Sequence, residues 1–273
     1  GKSIFNAAYE PYMFEVIHLD LPAADSIEAI WVLVEKHAEE AACFVYEPLL
    51  QGAGGMNIYE ADAMDQLLAL MKHHQVICIA DEVLTGFGRT GRLFAGDYLE
   101  QKADIICLSK GLTGGTMAMG VTACTKEIHQ AYLSDDRTKT FFHGHSFTAN
   151  PITCAASLAS LDLLQHSDST AQRAMIAERH IGFASRLQGA GLPEGSIQNI
   201  RTLGTIIAFE LNADQKNYLD QSGSGFTAQA LQEGVFLRPL GNTIYLMPPY
   251  CITAAELDHV YDVIMRLIQR NTR

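Results

Sequence analysis

Three short, apolar, β-prone runs dominate the first half of the chain: Cys43–Tyr46, Val76–Ala80 and Ile105–Leu108. Their starts lie roughly 30 residues apart, the length of a strand–helix–strand crossover. Between the first two, Met64, Leu67, Leu68 and Met71 recur at helical spacing. Before them, Ile27, Ile30, Trp31 and Val34 mark another helical face, with Asp25 and Glu28 spaced like a capping box at its start. A run such as Cys43–Tyr46 reads as a strand covered on both sides. The pattern predicts crossover units and a parallel sheet.

After Pro151 the pattern changes. Residues 151–164 and 171–188 read as helices, the second with a stripe at Ala174, Ala177, Ile181, Ala184 and Leu187. An apolar run follows at Ile206–Leu211, then a short helix near 226–233 ended by Gly234. Val235–Arg238 and Thr243–Met247, on either side of Gly241-Asn242, read as a hairpin, and Leu257, Val260, Tyr261, Ile264 and Leu267 as a last amphipathic helix. The expected division is a large α/β domain over residues 1–165 and a small α+β domain over residues 166–273.

Composition closes several routes. With 48% hydrophobic and 18% charged residues in 273, the chain can build a packed core, and disorder is excluded. Thirty-one acids against 19 bases give a net charge of −12, unsuited to a general phosphate-backbone binder, so no nucleic-acid partner is expected. No apolar run approaches the roughly 20 residues of a bilayer-spanning helix, so no membrane partner is expected either. The six cysteines form no C-x-x-C pair and sit mostly in apolar runs, as reduced, buried thiols of a cytoplasmic protein would. No metal site is expected: His143 and His145 lack helical metal-pair spacing and acidic or cysteine partners. Gly1-Lys2-Ser3 opens as if cut from a longer chain.

Chemistry could reside in three places. The first is Asp81-Glu82 directly after the second run, at the sheet edge where open α/β folds bind ligands. The pair could be a magnesium-holding acid, but the chain has no G-x-x-x-x-G-K-[ST]. Gly86-x-Gly88-x-x-Gly91 matches a dinucleotide fingerprint in letters, although five residues separate it from the strand. It could also be a solvated acid pair before a glycine turn.

The second is Lys110, after the third run and among small residues, which a parallel sheet delivers to the same edge as Asp81. It could extend to solvent, or form an imine with a carbonyl. A lysine and a carboxylate at one edge match what pyridoxal phosphate needs: an imine-forming amine, and an acid that keeps the ring nitrogen protonated. The third is Phe141–Pro151, whose hydroxyl and backbone N–H groups before a helix could hold a phosphate or simply cap the helix.

Five blocks in order carry a resemblance: Glu47-Pro-Leu-Leu-Gln51-Gly-Ala53, Ile79-Ala-Asp81-Glu through Arg89-Thr-Gly91, Lys110-Gly-Leu-Thr-Gly-Gly-Thr116, Phe142-His-Gly-His-Ser146 through Pro151, and Leu237-Arg238-Pro through Tyr250. Together they resemble the class III pyridoxal-phosphate aminotransferases. That resemblance implies a type I PLP-dependent transferase fold: an incomplete, mixed or parallel large-domain sheet with helices on both faces, plus the small α+β domain. It implies pyridoxal 5'-phosphate as cofactor, with Lys110 as the catalytic, imine-forming and proton-moving amine and Asp81 paired to the ring nitrogen. Gly144, His145 and Ser146 match a stretch that closes over substrate and cofactor phosphate from a partner subunit, implying a homodimer with shared sites.

By the same resemblance Arg238 clamps a substrate carboxylate, a task for a bidentate guanidinium, with a structural ion pair as the alternative. Arg89 either lies near the site or holds the glycine turn, and Gln51 and Glu47 stand behind the site. Glutamate-using members tend to carry Gln-Gly-Glu where this chain has Gln51-Gly52-Ala53, and Gln in place of Leu84. This points to the branch that moves an amino group from S-adenosylmethionine to 8-amino-7-oxononanoate, giving 7,8-diaminononanoate in biotin biosynthesis. Another class III aminotransferase or aminomutase is the nearest alternative, a Rossmann-type oxidoreductase a remote one, and a folded piece that binds nothing a third. The family's amino-terminal glycine-serine phosphate cup, ring-covering tyrosine and substrate-lining aromatics have no counterpart here. The expectation is that this chain alone is inactive or severely impaired.

Overall fold

The computed structural model describes residues 7–211 and 222–271. Gly1-Lys2-Ser3, read above as a cut end, lies outside the described residues. Helix α1 (Ile27–His37) leads into β1 (Cys43–Tyr46), a small antiparallel pair β2 (Leu50–Gln51) and β3 (Asn57–Ile58), then α2 (Ala61–His73) and β4 (Ile77–Asp81). After the glycine turn come β5 (Ile105–Leu108) and β6 (Val121–Cys124), the short α3 (Lys126–Gln130), α4 (Pro151–Gln165) and α5 (Ser167–Gln188). The chain continues through β7 (Ile197–Leu203), β8 (Ile206–Leu211), α6 (Ser222–Gln232), β9 (Thr243–Leu246) and α7 (Ala254–Asn271).

The first sheet runs β1-β4-β5-β6, parallel between β1, β4 and β5 and antiparallel at β6. It is the mixed sheet of an α/β fold. Alternation sends Phe44, Tyr46, Cys78, Ala80 and Ile106 to the face where Ile30 and Val34 of α1 and Met64, Leu67, Leu68 and Met71 of α2 pack. The opposite face is bare at Cys43, Val45 (60% exposed) and Ile77, so β1 is covered on one side, not on both as its apolar run suggests. Trp31 is also more exposed than its stripe predicts. The start of α1 differs too: no side chain caps it through a capping box, and the Ser26 hydroxyl instead donates to Leu21 O and accepts from Ala23 N–H.

The second sheet, β7-β8-β9, is antiparallel and packs on α5, α6 and α7. Its core includes Ile176, Phe183, Leu187, Phe209, Ile244, Tyr261 and Ile264. On α5 the buried residues are Ile176, His180, Phe183 and Leu187; of the predicted stripe Leu187 is buried and Ala184 packs against the same core, whereas Ala174 and Ile181 are exposed, and His180 reads as polar in sequence but is buried. Val235–Arg238 is not a strand. The turn at Gly241-Asn242 is present, with Gly241 at φ +61°, closed by mutual bonds between Leu240 and Thr243, while β9 pairs with β8. Helix α7 begins with a capping box, in which Thr253 Oγ1 accepts from Glu256 N–H and Glu256 accepts from Thr253 N–H. A small cluster of Leu50, Met56, Ile206 and Ala208 joins the two halves. Of the cysteines, Cys78 is buried, whereas Cys43, Cys124 and Cys251 are exposed; all six are free.

Candidate active site

Asp81 ends β4, and Lys110 follows β5 after Ser109. The two strands are parallel neighbours, with Asp81 opposite Cys107, so the carboxylate and the amine leave the sheet at one carboxyl edge. Glu47, just after β1, stands at the same edge. Burial raises its pKa; the Asp81 charge raises it further, while the Gly52 N–H bond and the Lys110 charge lower it. One acid thus senses both of the other groups. The Cys107 thiol is pushed up by burial and then by Asp81. Asp81 accepts from Val83 N–H at 3.0 Å, which orients its carboxylate.

Lys110 opens a 3-10 turn, Lys110–Thr113, with a backbone φ of +43°. A non-glycine residue in that region is strained, and such strain persists only where the surroundings over-determine it. Here they do. Gly111 lies so close to Phe87 that a Cβ on it would sit 2.9 Å from the Phe87 Cβ, and Ser160 of α4 donates to Gly111 O at 3.3 Å. Ser109 donates to Met119 O at 2.7 Å. The turn ends at Gly114, φ +61°.

The glycine turn between Asp81 and β5 is held by Glu82, which is buried and so is not part of a solvated acid pair. Its buried carboxylate accepts from Thr85 Oγ1 at 2.6 Å, Ala95 N–H at 3.0 Å and Gly96 N–H at 2.6 Å. Burial raises its pKa against those three bonds. No helix starts at Gly86–Gly91: turns run on to a 3-10 segment, Ala95–Tyr98, so the dinucleotide reading of G-x-G-x-x-G has no structural support.

Arg89 faces the second half of the molecule. Its guanidinium donates to Pro248 O at 2.6 Å and lies 4.4 Å from the Tyr250 ring centroid, and its carbonyl accepts from Thr205 N–H and Oγ1. These contacts tie the glycine turn to the second half of the molecule. Gln51 lies in β2, folded over Gly54, and Glu47 accepts from Gly52 N–H at 2.9 Å, closing the loop that carries Gln51.

Gly144, His145 and Ser146 lie in an exposed stretch. The bonds of His145 are local: its N–H donates to Thr148 Oγ1, and its Nδ1 accepts from Phe147 N–H. Among the described residues, no hydrogen bond or ion pair joins this stretch to Asp81 or Lys110. Arg238 is exposed in a groove with Phe236, Pro248, Cys251 and His259, and has no ion pair among the described residues. No group of His, Cys, Asp and Glu suited to a metal occurs among the described residues.

A family model for class-III aminotransferases matches residues 4–268. The chain belongs to that family. Among curated class-III relatives, the adenosylmethionine-8-amino-7-oxononanoate aminotransferase of Synechococcus elongatus is 39% identical over 277 residues, covering 98% of this chain and 64% of its own length. That of Geobacter sulfurreducens is 36% identical, covering 100% and 64%. The crystal structure of the enzyme of the same name from Methanocaldococcus jannaschii matches with a TM-score of 0.89 at 30% identity, over 98% of this chain and 63% of that one. The chain therefore spans just under two thirds of the length of these relatives.

Class-III aminotransferases depend on pyridoxal phosphate. The residues at the sheet edge fit that group in kind: a primary amine for its carbonyl, and a carboxylate on the neighbouring strand for its ring nitrogen.

Proposed function

We propose that the protein carrying this chain is a homodimeric, cytoplasmic aminotransferase of biotin biosynthesis. It would take the amino group of S-adenosylmethionine and deliver it to 8-amino-7-oxononanoate, giving 7,8-diaminononanoate. The observation that carries the chemistry is the placement of Lys110 and Asp81 at one edge of adjacent parallel strands, with the lysine backbone strained. The choice of substrates leans on the relatives of that name and on Ala53 and Leu84 in place of the residues of glutamate users.

Bound at this edge, pyridoxal phosphate would supply an electron sink for the bond-breaking step. Lys110 would hold the cofactor carbonyl and then carry the proton at its Nζ between donor and acceptor carbons. Asp81, oriented by Val83 N–H, would keep a positive charge on the ring nitrogen. Glu47 and Gln51 would shape the loop behind the site. Arg238, without an ion pair among the described residues, would bind a substrate carboxylate, while Gly144, His145 and Ser146 would serve the partner subunit's site. Residues 1–165 would form the cofactor domain and residues 166–273 the small domain.

Borohydride reduction in the presence of pyridoxal phosphate, followed by peptide mass mapping, tests the chemistry. The expected adduct lies on Lys110; no adduct, or one elsewhere, sinks the reading. A donor panel tests the substrates: turnover with glutamate or ornithine but not S-adenosylmethionine would move the protein to another branch of the family.

A further inference from the structure

Tyr250 stands 163 residues from Phe87 in sequence, yet its hydroxyl donates to Phe87 O at 2.8 Å. Phe87 itself has φ +60°, a second non-glycine residue in the left-handed region, and it is the residue pressed against Gly111. The Phe87 ring is fixed from the other side by Phe94, in an edge-on contact with centroids 5.6 Å apart. Tyr250 is held as firmly. Its ring lies 4.4 Å from the Arg89 guanidinium carbon and 5.6 Å from that of Arg173, and Arg89 is tied to Pro248 O. The contact path runs from Tyr250 to the Phe87 carbonyl, from Phe87 to Gly111, and so to the strained Lys110.

Left-handed non-glycine residues such as Phe87 and Lys110 persist only where their surroundings over-determine them. Removing the hydroxyl would leave the Phe87 carbonyl without this partner, and the peptide would then be held only through Gly88 N–H on Leu93 O at 3.0 Å. The body that lies against Gly111 would lose one of its anchors. We infer that Tyr250 is a positioning residue: its hydroxyl, acting through the Phe87 carbonyl, sets the backbone of the Lys110 turn and hence the placement of the lysine amine. This rests on the proposed aminotransferase chemistry of Lys110. Tyr250 touches neither the lysine nor any reacting atom in this scheme.

Tyr250→Phe tests it, because the ring and its stacking on Arg89 are kept and only the hydroxyl is lost. In amide hydrogen exchange, segments 86–91 and 109–114 should exchange severalfold faster, while α1 and α7 keep their protection. This measurement needs no cofactor. With pyridoxal phosphate added, the pH midpoint of the lysine-bound visible absorbance should shift, and kcat should fall roughly tenfold with KM little changed. A merely structural role would speed exchange across the small domain, or lower melting temperature and activity together, leaving the midpoint in place; either result overturns the inference. So does unchanged exchange at 109–114. If the unsubstituted protein forms no borohydride-trapped adduct at Lys110, the aminotransferase reading fails first and the inference falls with it.

Discussion

The residues around Asp81 and Lys110 and those around His145 belong to one proposed site but are built in opposite ways. From Glu82 to Thr113 the chain is locked: a buried carboxylate accepts three bonds, Phe87 and Lys110 hold left-handed backbones with Phe87 against Gly111, and Tyr250 and Thr205 bond in from the second half of the molecule. From Thr140 to Ala149 nearly every side chain is exposed, Phe142 at 83% and Phe147 at 74%, and the bonds are local. The first region is preorganised by its own chain. The second has the look of a surface that must be covered, since contiguous exposed aromatics mark interaction sites. In the proposed site the covalent chemistry would be fixed in one chain, and the phosphate and substrate contacts would be completed from outside it.

The largest expected effect is at the locked half. Lys110→Ala should abolish the borohydride-trapped adduct and lower kcat/KM on the order of 10⁴-fold or more, because a group that acts as attachment point and proton carrier has no substitute. Its fold should survive, since the lysine side chain is exposed. Asp81→Asn keeps the shape and removes the charge. Its expected cost is on the order of 10²–10³-fold in kcat, the scale seen when one preorganised electrostatic partner is lost. Retention of activity in either variant would break the contrast between the two regions at its root.

A pH titration probes the anchoring from the second half. His180 is buried, with Nδ1 on the Tyr261 hydroxyl at 2.7 Å and Nε2 on Thr205 O at 3.1 Å, and Thr205 is the residue that bonds the Arg89 carbonyl. Burial lowers its pKa from 6.5 to about 4, opposed by the Thr205 bond. The unfolded chain therefore binds this proton before the folded one does. The stability that neutral His180 contributes is complete above the unfolded value and is lost as pH falls from about 6.5 to about 4. The loss should approach about 3 kcal/mol, read as a falling urea midpoint. His180→Gln should flatten that slope; an unchanged slope would remove His180 from the anchoring.

The outline of the fold was legible because it rests on periodicity. The strands at Cys43, Ile77 and Ile105 and the α2 and α7 stripes follow from apolar spacing alone. Long-range polar bonding leaves no such mark. His180 looks like a gap in an apolar stripe, and so the buried face of α5 was displaced onto its alanines. Glu82 sits beside a more conspicuous acid, and only its three bonds distinguish the two. Tyr250 lies in a quoted motif, but its partner at Phe87 is out of reach of any local pattern. At the site, Asp81 and Lys110 were accessible because strand ends converge on one edge, a rule of topology. Gly144–Ser146 and Arg238 form no hydrogen bond or ion pair with that edge among the described residues, so neither periodicity nor topology marks them.

The smallest effect should come from the exposed half, and its smallness is informative. His145→Ala and Ser146→Ala remove side chains whose surroundings are open, so each should change the urea-derived stability by less than about 0.5 kcal/mol, the usual range for surface substitutions. Their influence should appear only when sites are completed between subunits, as weaker retention of pyridoxal phosphate during dialysis of the assembled protein. An unfolding free energy that drops by more than about 1 kcal/mol for either variant would mean that the stretch is held within its own chain. Cofactor retention equal to that of the unsubstituted protein would mean that it holds no phosphate. Either result would leave the locked turn as the whole of the site, and the proposed sharing between subunits would lose its structural basis.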